Sequence, residues 1–318
     1  MRTLVSFPRR PARLIAVLGL VLAGGCAFDP VEGDLMGSVD VYRTDDEDTL
    51  IQLAREFDLG YIELAAANPG IDPWVPGDGT ALVLPRAHLL PVGAREGMVI
   101  NLAEQRLYYF QAESTPVTFP IGIGREGLDT PLGETEIVRR REGPTWTPTA
   151  AARADDPTLP PVVPAGPDNP LGTHALYLGW PTYLIHGTNE PYGIGRRVSR
   201  GCIRLYPEDI VALYDMVPDG TPVRVVNQPV KLGWSRGELY LEAHPTLVQG
   251  DQIESDGRFD REAEETLEVA ARIIAEAGES IDRIDWATVN DAIAGRSGVP
   301  VRITRTPLED FLRSGFGG

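Results

Sequence analysis

The sequence predicts a mostly β protein in three parts: a strand-rich central block, a small βααβ unit before it, and an α-containing extension after it. Three observations lead there. Short β-branched and aromatic runs recur from Gly97 to Val226, punctuated by Gly, Pro and Asn. Two segments of helical period sit between strand-like residues in 39–85. Beyond Lys231 the pattern turns into charged amphipathic segments. A length of 318 residues suits about two domains, and 42% hydrophobic residues can supply a core.

Residues 1–25 read as an export signal. Arg2, Arg9, Arg10 and Arg13 form a positive end, and Leu14 to Leu22 form an apolar run too short to span a bilayer as a helix. Ala23-Gly24-Gly25 then leads into Cys26. This resembles a lipoprotein signal, in which Cys26 is lipidated and becomes the mature N-terminus; simple secretion is the alternative. Either route puts the protein in the periplasm or cell envelope, with a lipid anchor as its only membrane contact. Removing four arginines and no acid takes the formal net charge from −17 to −21. So acidic a body argues against nucleic acid and against electrostatic adhesion to anionic lipid. Residues 26–38 show little periodicity and read as a tether.

The next unit covers 39–86. Asp48 is placed to cap a helix carrying Leu50, Leu53, Ala54 and Phe57, which Gly60 ends. A second helix, Ile62 to Ala67, stops at Asn68-Pro69-Gly70, and Ala81 to Leu84 reads as a strand closed by Pro85. The central block covers 93–227. Met98–Leu102 and Leu107–Phe110 suggest a hairpin, and Val117–Gly124, Glu134–Arg139, His174–Leu178, Thr182–His186 and Pro222–Val226 supply further strands. Its best helix is Pro207 to Val217. Proline suits the first turn, Glu208 and Asp209 suit the positive end, and Ile210, Leu213, Tyr214 and Val217 share a face. Residues 143–172 are too rich in Pro, Ala and Gly for regular structure, so they read as a lid or substrate wall. The extension, 228–318, carries a hairpin over Gly233–Ala243 and helices over Arg258–Ala277 and Ile284–Ile293. No chemistry is evident in it, and packing or partner docking is its default role.

The chemistry-bearing stretch runs from Ile185 to Leu205. It holds one of four histidines and one of two cysteines, His186 and Cys202. Thiolate is the nucleophilic form of cysteine, and a nearby imidazole can take its proton. Gly201 just before Cys202 suits a tight turn whose N–H groups point at a developing oxyanion. An inert buried cysteine beside an unrelated histidine is the plain alternative. Without Cys26, Cys202 is the only thiol left in an exported chain, which no internal disulfide explains. Arg196, Arg197, Arg200 and Arg204 make a basic cluster suited to carboxylates, unless the protein's own acids claim them. His88 and His244 have no partner pattern, and no metal-ligand spacing appears.

His186-Gly187-Thr188, a glycine-rich loop, and then Ser199-Arg200-Gly201-Cys202-Ile203-Arg204-Leu205 closely resemble the active-site signature of the L,D-transpeptidases of the YkuD or ErfK type. Gly97–Phe110, Gly122-Ile123-Gly124, Thr130-Pro131-Leu132-Gly133, Trp146–Thr149 and Asn169–Gly172 look like further blocks in family order. The resemblance implies a β-sandwich-like catalytic domain over 93–227. It also implies that Cys202 is the nucleophile and His186 the general base and acid. Gly201 would supply an oxyanion N–H, and Ser199, Thr188 or a backbone carbonyl would orient the imidazole. Arg204, Arg200, Gly187, His174 and Tyr183 would bind or line substrate. Some family members carry His where this chain has Arg200. No cofactor and no metal are implied. The substrate implied is a peptidoglycan tetrapeptide stem, with an amine acceptor for 3–3 crosslinking or for attachment of an outer-membrane lipoprotein. Water as acceptor, giving a peptidase, and a non-catalytic wall-binding lipoprotein are the alternatives. Asp48-Thr49-Leu50, Asn68-Pro69-Gly70 and the later Pro-Gly and Leu-Pro steps make 39–86 resemble a LysM module, which implies binding to glycan chains containing N-acetylglucosamine; a generic small α/β unit is the alternative.

Overall fold

The computed structural model describes residues 33–111, 115–260 and 265–306. The expected export signal and Cys26 lie outside the described residues.

The N-terminal part consists of β1 (Leu35–Met36), β2 (Val39–Arg43), α1 (Leu50–Glu56), α2 (Tyr61–Ala67), β3 (Ala81–Pro85) and β4 (His88–Leu89). β2 and β3 pair antiparallel with Val41 opposite Val83, and Leu82 and Leu84 pack against Leu50, Leu53 and Leu64 of the two helices. Two local expectations need correction. Thr49, not Asp48, caps α1: its hydroxyl accepts the Gln52 N–H at 3.3 Å, while the Asp48 carboxylate accepts the Asp45 N–H at 2.7 Å. Gly60 does not stop α1. The chain already turns at Asp58 (φ 57°), and the Gly60 N–H donates to the Glu63 carboxylate at 2.9 Å, opening α2. The expected tether is docked from Gly33 onward. β1 pairs with β4, and Asp34 exchanges bonds with Trp234 of the C-terminal part, each 2.7 Å long. Gly33 permits this approach, since a Cβ there would meet the Trp234 carbonyl oxygen at 2.1 Å.

The central part contains β5 (Gly97–Asn101), β6 (Arg106–Phe110), β7 (Val117–Pro120), β8 (Ile123–Gly124), β9 (Gly133–Glu142), α3 (Ala150–Asp155), β10 (His174–Leu178), β11 (Leu184–His186), β12 (Arg197–Ser199), β13 (Ile203–Arg204), α4 (Pro207–Met216) and β14 (Pro222–Val226). Eight strands form one mixed sheet in the order β13-β11-β10-β9-β14-β5-β6-β7, and β8 and β12 pair separately. Ile123, Ile137, Leu176, Ile185, Ile203 and Ile210 are buried together, so the sheet, the ribbon and α4 share one core. Each such aliphatic side chain contributes roughly 1.5–3 kcal/mol by leaving water. The 143–172 stretch is not wholly irregular. Thr149 caps α3 through the Ala152 N–H at 3.1 Å, Trp146 bridges Val163, and buried Asn169 donates to the Pro144 carbonyl at 2.8 Å.

The C-terminal part holds β15 (Val230–Ser235), β16 (Glu238–Ala243), α5 (Leu247–Asp256), α6 (Glu265–Ala277), α7 (Trp286–Gly295) and β17 (Val301–Arg302). Of the expected helix from Arg258, α6 is described over Glu265–Ala277, and α5 before it was not expected. α5 ends on Gly257 in the left-handed conformation (φ 70°). α5 is tied to its neighbours: Ile253 joins the N-terminal core, and Asp251 pairs with Arg197 of β12.

Candidate active site

β11 and β13 run parallel, with Ile185 opposite Ile203 and His186 opposite Arg204. Laterally paired residues share a face of the sheet, as do residues two apart along an extended chain. Ile185, Ile203 and Leu205 therefore point into the core, where all three are fully buried. His186, Arg204 and Cys202 share the other face. The 16-position spacing between His186 and Cys202 is one excursion that leaves the sheet after β11 and returns into β13.

The His186 imidazole is buried, with Nδ1 2.6 Å from the Gly187 carbonyl oxygen. A carbonyl only accepts, so Nδ1 carries the proton and Nε2 keeps its lone pair. Burial first, and then the Arg204 charge, lowers the His186 pKa to about 3 although the Gly187 bond opposes this. Burial pushes the Cys202 thiol up, against the Leu184 N–H and Arg204, and Sγ lies 3.6 Å from the Thr182 carbonyl oxygen. At neutral pH the resting pair is thiol and neutral imidazole. Such a pair can act by general-base transfer of the thiol proton.

The turn before Cys202 differs from expectation in two ways. Ser199 does not orient His186. Its hydroxyl donates to the Cys202 carbonyl at 2.5 Å and accepts the Gly201 N–H at 3.1 Å, and the Gly187 carbonyl holds the imidazole instead. The Gly201 N–H is accordingly already bonded, and what Gly201 contributes is its backbone. Its φ is +102°, and a Cβ would meet Tyr183 Cε1 at 2.7 Å. Tyr183 thus packs on this turn, with Trp180 edge-on at 6.2 Å. Gly187 also lacks room for a side chain, with Ile210 Cγ2 at 2.9 Å from a Cβ position. The His174 ring packs at a tilt against Tyr214 with centroids 4.6 Å apart, its carbonyl accepts the Gly187 N–H at 3.2 Å, and it stands one strand away from the pair.

The arginines divide sharply. Arg196 lies over the Tyr61 ring at 4.2 Å and 3.6 Å from Glu254. Arg197 is held between Asp129, at 2.8 Å, and Asp251. Arg200 pairs with Asp155 at the end of α3, fastening the 143–172 stretch beside the nucleophile turn. Arg204 has only Glu190 at 4.0 Å, and its buried Nε has no partner among the described residues. Arg196 Nε is buried without a partner as well, but Arg204 is the one of the four paired across the sheet with His186, where spare capacity can meet an anionic ligand. Sequence reasoning missed Thr130, whose buried hydroxyl touches the Gly201 carbonyl; the Thr130-Pro131-Leu132-Gly133 block pointed to it without a role.

His88 and His244, unassigned from sequence, meet at a buried junction of the three parts. His88, Glu104 and Glu242 bring ligand-type atoms within 4.8 Å of one another. The cation there is Lys231. Its Nζ lies 2.9 Å from Glu104, 3.1 Å from Glu242 and 2.6 Å from the Leu89 carbonyl, so an ammonium fills the position a metal would need.

A buried imidazole with one fixed nitrogen, on the same face as the one half-buried thiol among the described residues, is an arrangement suited to cysteine nucleophile chemistry. The YkuD family description, the L,D-transpeptidase catalytic domain, matches residues 95–225. The chain is 40% identical over 304 residues to the probable L,D-transpeptidase YbiS of Escherichia coli K12, covering 92% of this chain and 97% of that one. It is 41% identical over 262 residues to the probable L,D-transpeptidase ErfK/SrfK of Salmonella typhimurium, covering 80% and 82%. It is 41% identical over 270 residues to the probable L,D-transpeptidase YcfS of Escherichia coli K12, covering 82% of each. This chain belongs to the L,D-transpeptidase family, whose members act on peptidoglycan.

Proposed function

We propose that the protein captures the acyl group of a peptidoglycan tetrapeptide stem on Cys202 and passes it to an amine. The observation that carries this is the shared face of Cys202, His186 and Arg204, with the imidazole proton fixed on Nδ1. As Sγ attacks the carbonyl of the third stem residue, the thiol proton moves to Nε2 and a carbon–sulfur bond forms. The bond to the terminal D-Ala then breaks, and Nε2 returns the proton to the departing amine. An acceptor amine next attacks the thioester carbonyl, His186 removes its proton, and the thiol is regenerated. Arg204, paired across the sheet with His186, has an Nε without a partner among the described residues, which suits a stem carboxylate.

The acceptor is an amine of the cell wall or of an outer-membrane lipoprotein, and the three-part organisation favours the lipoprotein. The βααβ unit is a LysM-like glycan holder in this reading. Its fixed contact with the 191–196 loop, through the Tyr61 and Ile62 N–H groups to Ile194 and Gly195, supports it by setting any bound glycan at a constant distance from Cys202. Cys26 lipidation anchors the protein in the envelope, and a lipid mass on the mature N-terminus is the expected result; an unmodified soluble form refutes it. The decisive assay supplies disaccharide-tetrapeptide with and without a lipoprotein peptide ending in lysine. A peptide adduct identifies lipoprotein attachment, a muropeptide dimer identifies crosslinking, and tripeptide alone identifies hydrolysis. Cys202→Ala stops all three, and full turnover by that variant would end the proposal.

A further inference from the structure

The turn from Arg200 to Ile203 contains three successive peptide units whose orientation decides which N–H groups face the thiol. Ser199 holds the first and the third. Its hydroxyl accepts the Gly201 N–H at 3.1 Å and donates to the Cys202 carbonyl at 2.5 Å. The middle unit, Gly201 to Cys202, is beyond its reach. That unit is also the one most free to rotate, because Gly201 sits at φ +102° where glycine accepts more than one backbone state.

Thr130 supplies the missing restraint. Its hydroxyl donates to the Gly201 carbonyl at 3.0 Å and accepts the Gly124 N–H at 3.0 Å, and the residue is only 4% exposed. Both hydroxyl roles are occupied, so it cannot swing to another partner. In a trans peptide the C=O and the following N–H point in opposite directions. Fixing the Gly201 carbonyl toward Thr130 therefore turns the Cys202 N–H away from it, out of the turn. That N–H makes no hydrogen bond among the described residues, whereas the Gly201 N–H is already committed. The bond to the carbonyl also polarises the same peptide unit and strengthens its N–H as a donor.

We infer that Thr130 is a positioning residue for the acyl-transfer reaction: it clamps the Gly201–Cys202 peptide so that the Cys202 N–H is preset to receive the oxyanion. The inference rests on the reading of Cys202 as nucleophile, and it assigns the oxyanion donor to Cys202 and not to Gly201.

Two reactions at one sulfur separate this role from a general structural one. Acylation by a carbapenem passes through a tetrahedral oxyanion, whereas alkylation by iodoacetamide displaces iodide at carbon and forms none. Thr130→Val keeps the shape and removes the hydroxyl. Its carbapenem acylation should fall by up to about 10²–10³-fold, the usual cost of an oxyanion donor, while its alkylation rate at Cys202 stays near wild type. Thr130→Ser, which keeps the hydroxyl, should recover most of the acylation. If Thr130→Val lacks the native circular dichroism spectrum, Thr130→Ala carries the same pair of rates. Wild-type acylation in the hydroxyl-less variant overturns the inference, and so does a parallel fall in both rates. Failure of the wild-type protein itself to form a carbapenem adduct on Cys202 is a different result, and it overturns the acyl-transfer reading underneath.

Discussion

Two regions of this protein bury histidine next to ionisable groups, and only one is built for chemistry. At the junction of the three parts most donors and acceptors are matched, with His88 Nδ1 and Gln105 Oε1 the buried atoms left over. Lys231 is shared by Glu104, Glu242, the Leu89 carbonyl and the Tyr108 hydroxyl, and His244 Nε2 sits 2.6 Å from Glu242. Glu63 is locked to Arg106 at 2.7 Å. Around the Cys202 turn, His186 Nε2, the Cys202 N–H and Arg204 Nε have no partner among the described residues and lie about the nucleophile, and Arg196 Nε is also unpartnered nearby in sequence. Burial and shifted pKa values are common to both places. What distinguishes the active site is unspent hydrogen-bonding capacity pointing the same way as a nucleophile.

The largest expected effect lies on the catalytic side. His186→Gln should lower turnover by about 10²–10⁴-fold with little loss of stability, because it removes the base and not a charge; unchanged turnover would place the base elsewhere. Next comes the junction. Lys231→Met should leave two buried carboxylates uncompensated and cost about 3–5 kcal/mol in a denaturant titration, while a folded fraction at low temperature retains its rate of thiol alkylation. A loss of alkylation without a loss of stability would erase the distinction between the two regions.

A smaller effect depends on pH. Burial, followed by Asp58 and Glu208, pushes the Asp209 carboxyl up to about 8 at the start of α4. Its folded value exceeds the unfolded one of about 3.9, so between those values the folded state holds the extra proton. Stability contributed by this proton is full below about pH 4, falls as pH rises toward 8 and is level above that. Denaturation midpoints of wild type and Asp209→Asn between pH 5 and 8 check it: the asparagine variant should show the flatter dependence, and identical slopes would refute the assignment. The smallest effect expected is at the module interface. The exposed Arg55–Glu208 pair, 2.9 Å long, should be worth no more than about 1 kcal/mol, so Arg55→Ala should barely move the midpoint.

The candidate pair was legible because its evidence is local and chemical: a thiol, an imidazole upstream, and glycine before the thiol. β10 and β14 were legible to the residue, since alternating apolar residues and Pro222 mark their ends. α4 was legible too, because proline and two acids open it. Helix α5 was hidden: Gly250, Gln249, Asp251 and Gln252 dilute its apolar period, and its cap at Thr246 looks like any threonine. Contacts between distant residues could not be read at all. Thr130 reaches Gly201 across 71 positions, and Lys231 meets Leu89 across 142. Which arginines are free was also invisible, because the acids that occupy Arg196, Arg197 and Arg200 come from three other segments.

The most direct test of an acyl-transferring thiol is intact-mass analysis of the protein quenched during turnover of a disaccharide-tetrapeptide. A covalent adduct at Cys202 equal to the substrate less D-Ala, absent from Cys202→Ala, is the predicted result. Release of D-Ala by a protein that never carries an adduct at Cys202, with the alanine variant equally active, would contradict it.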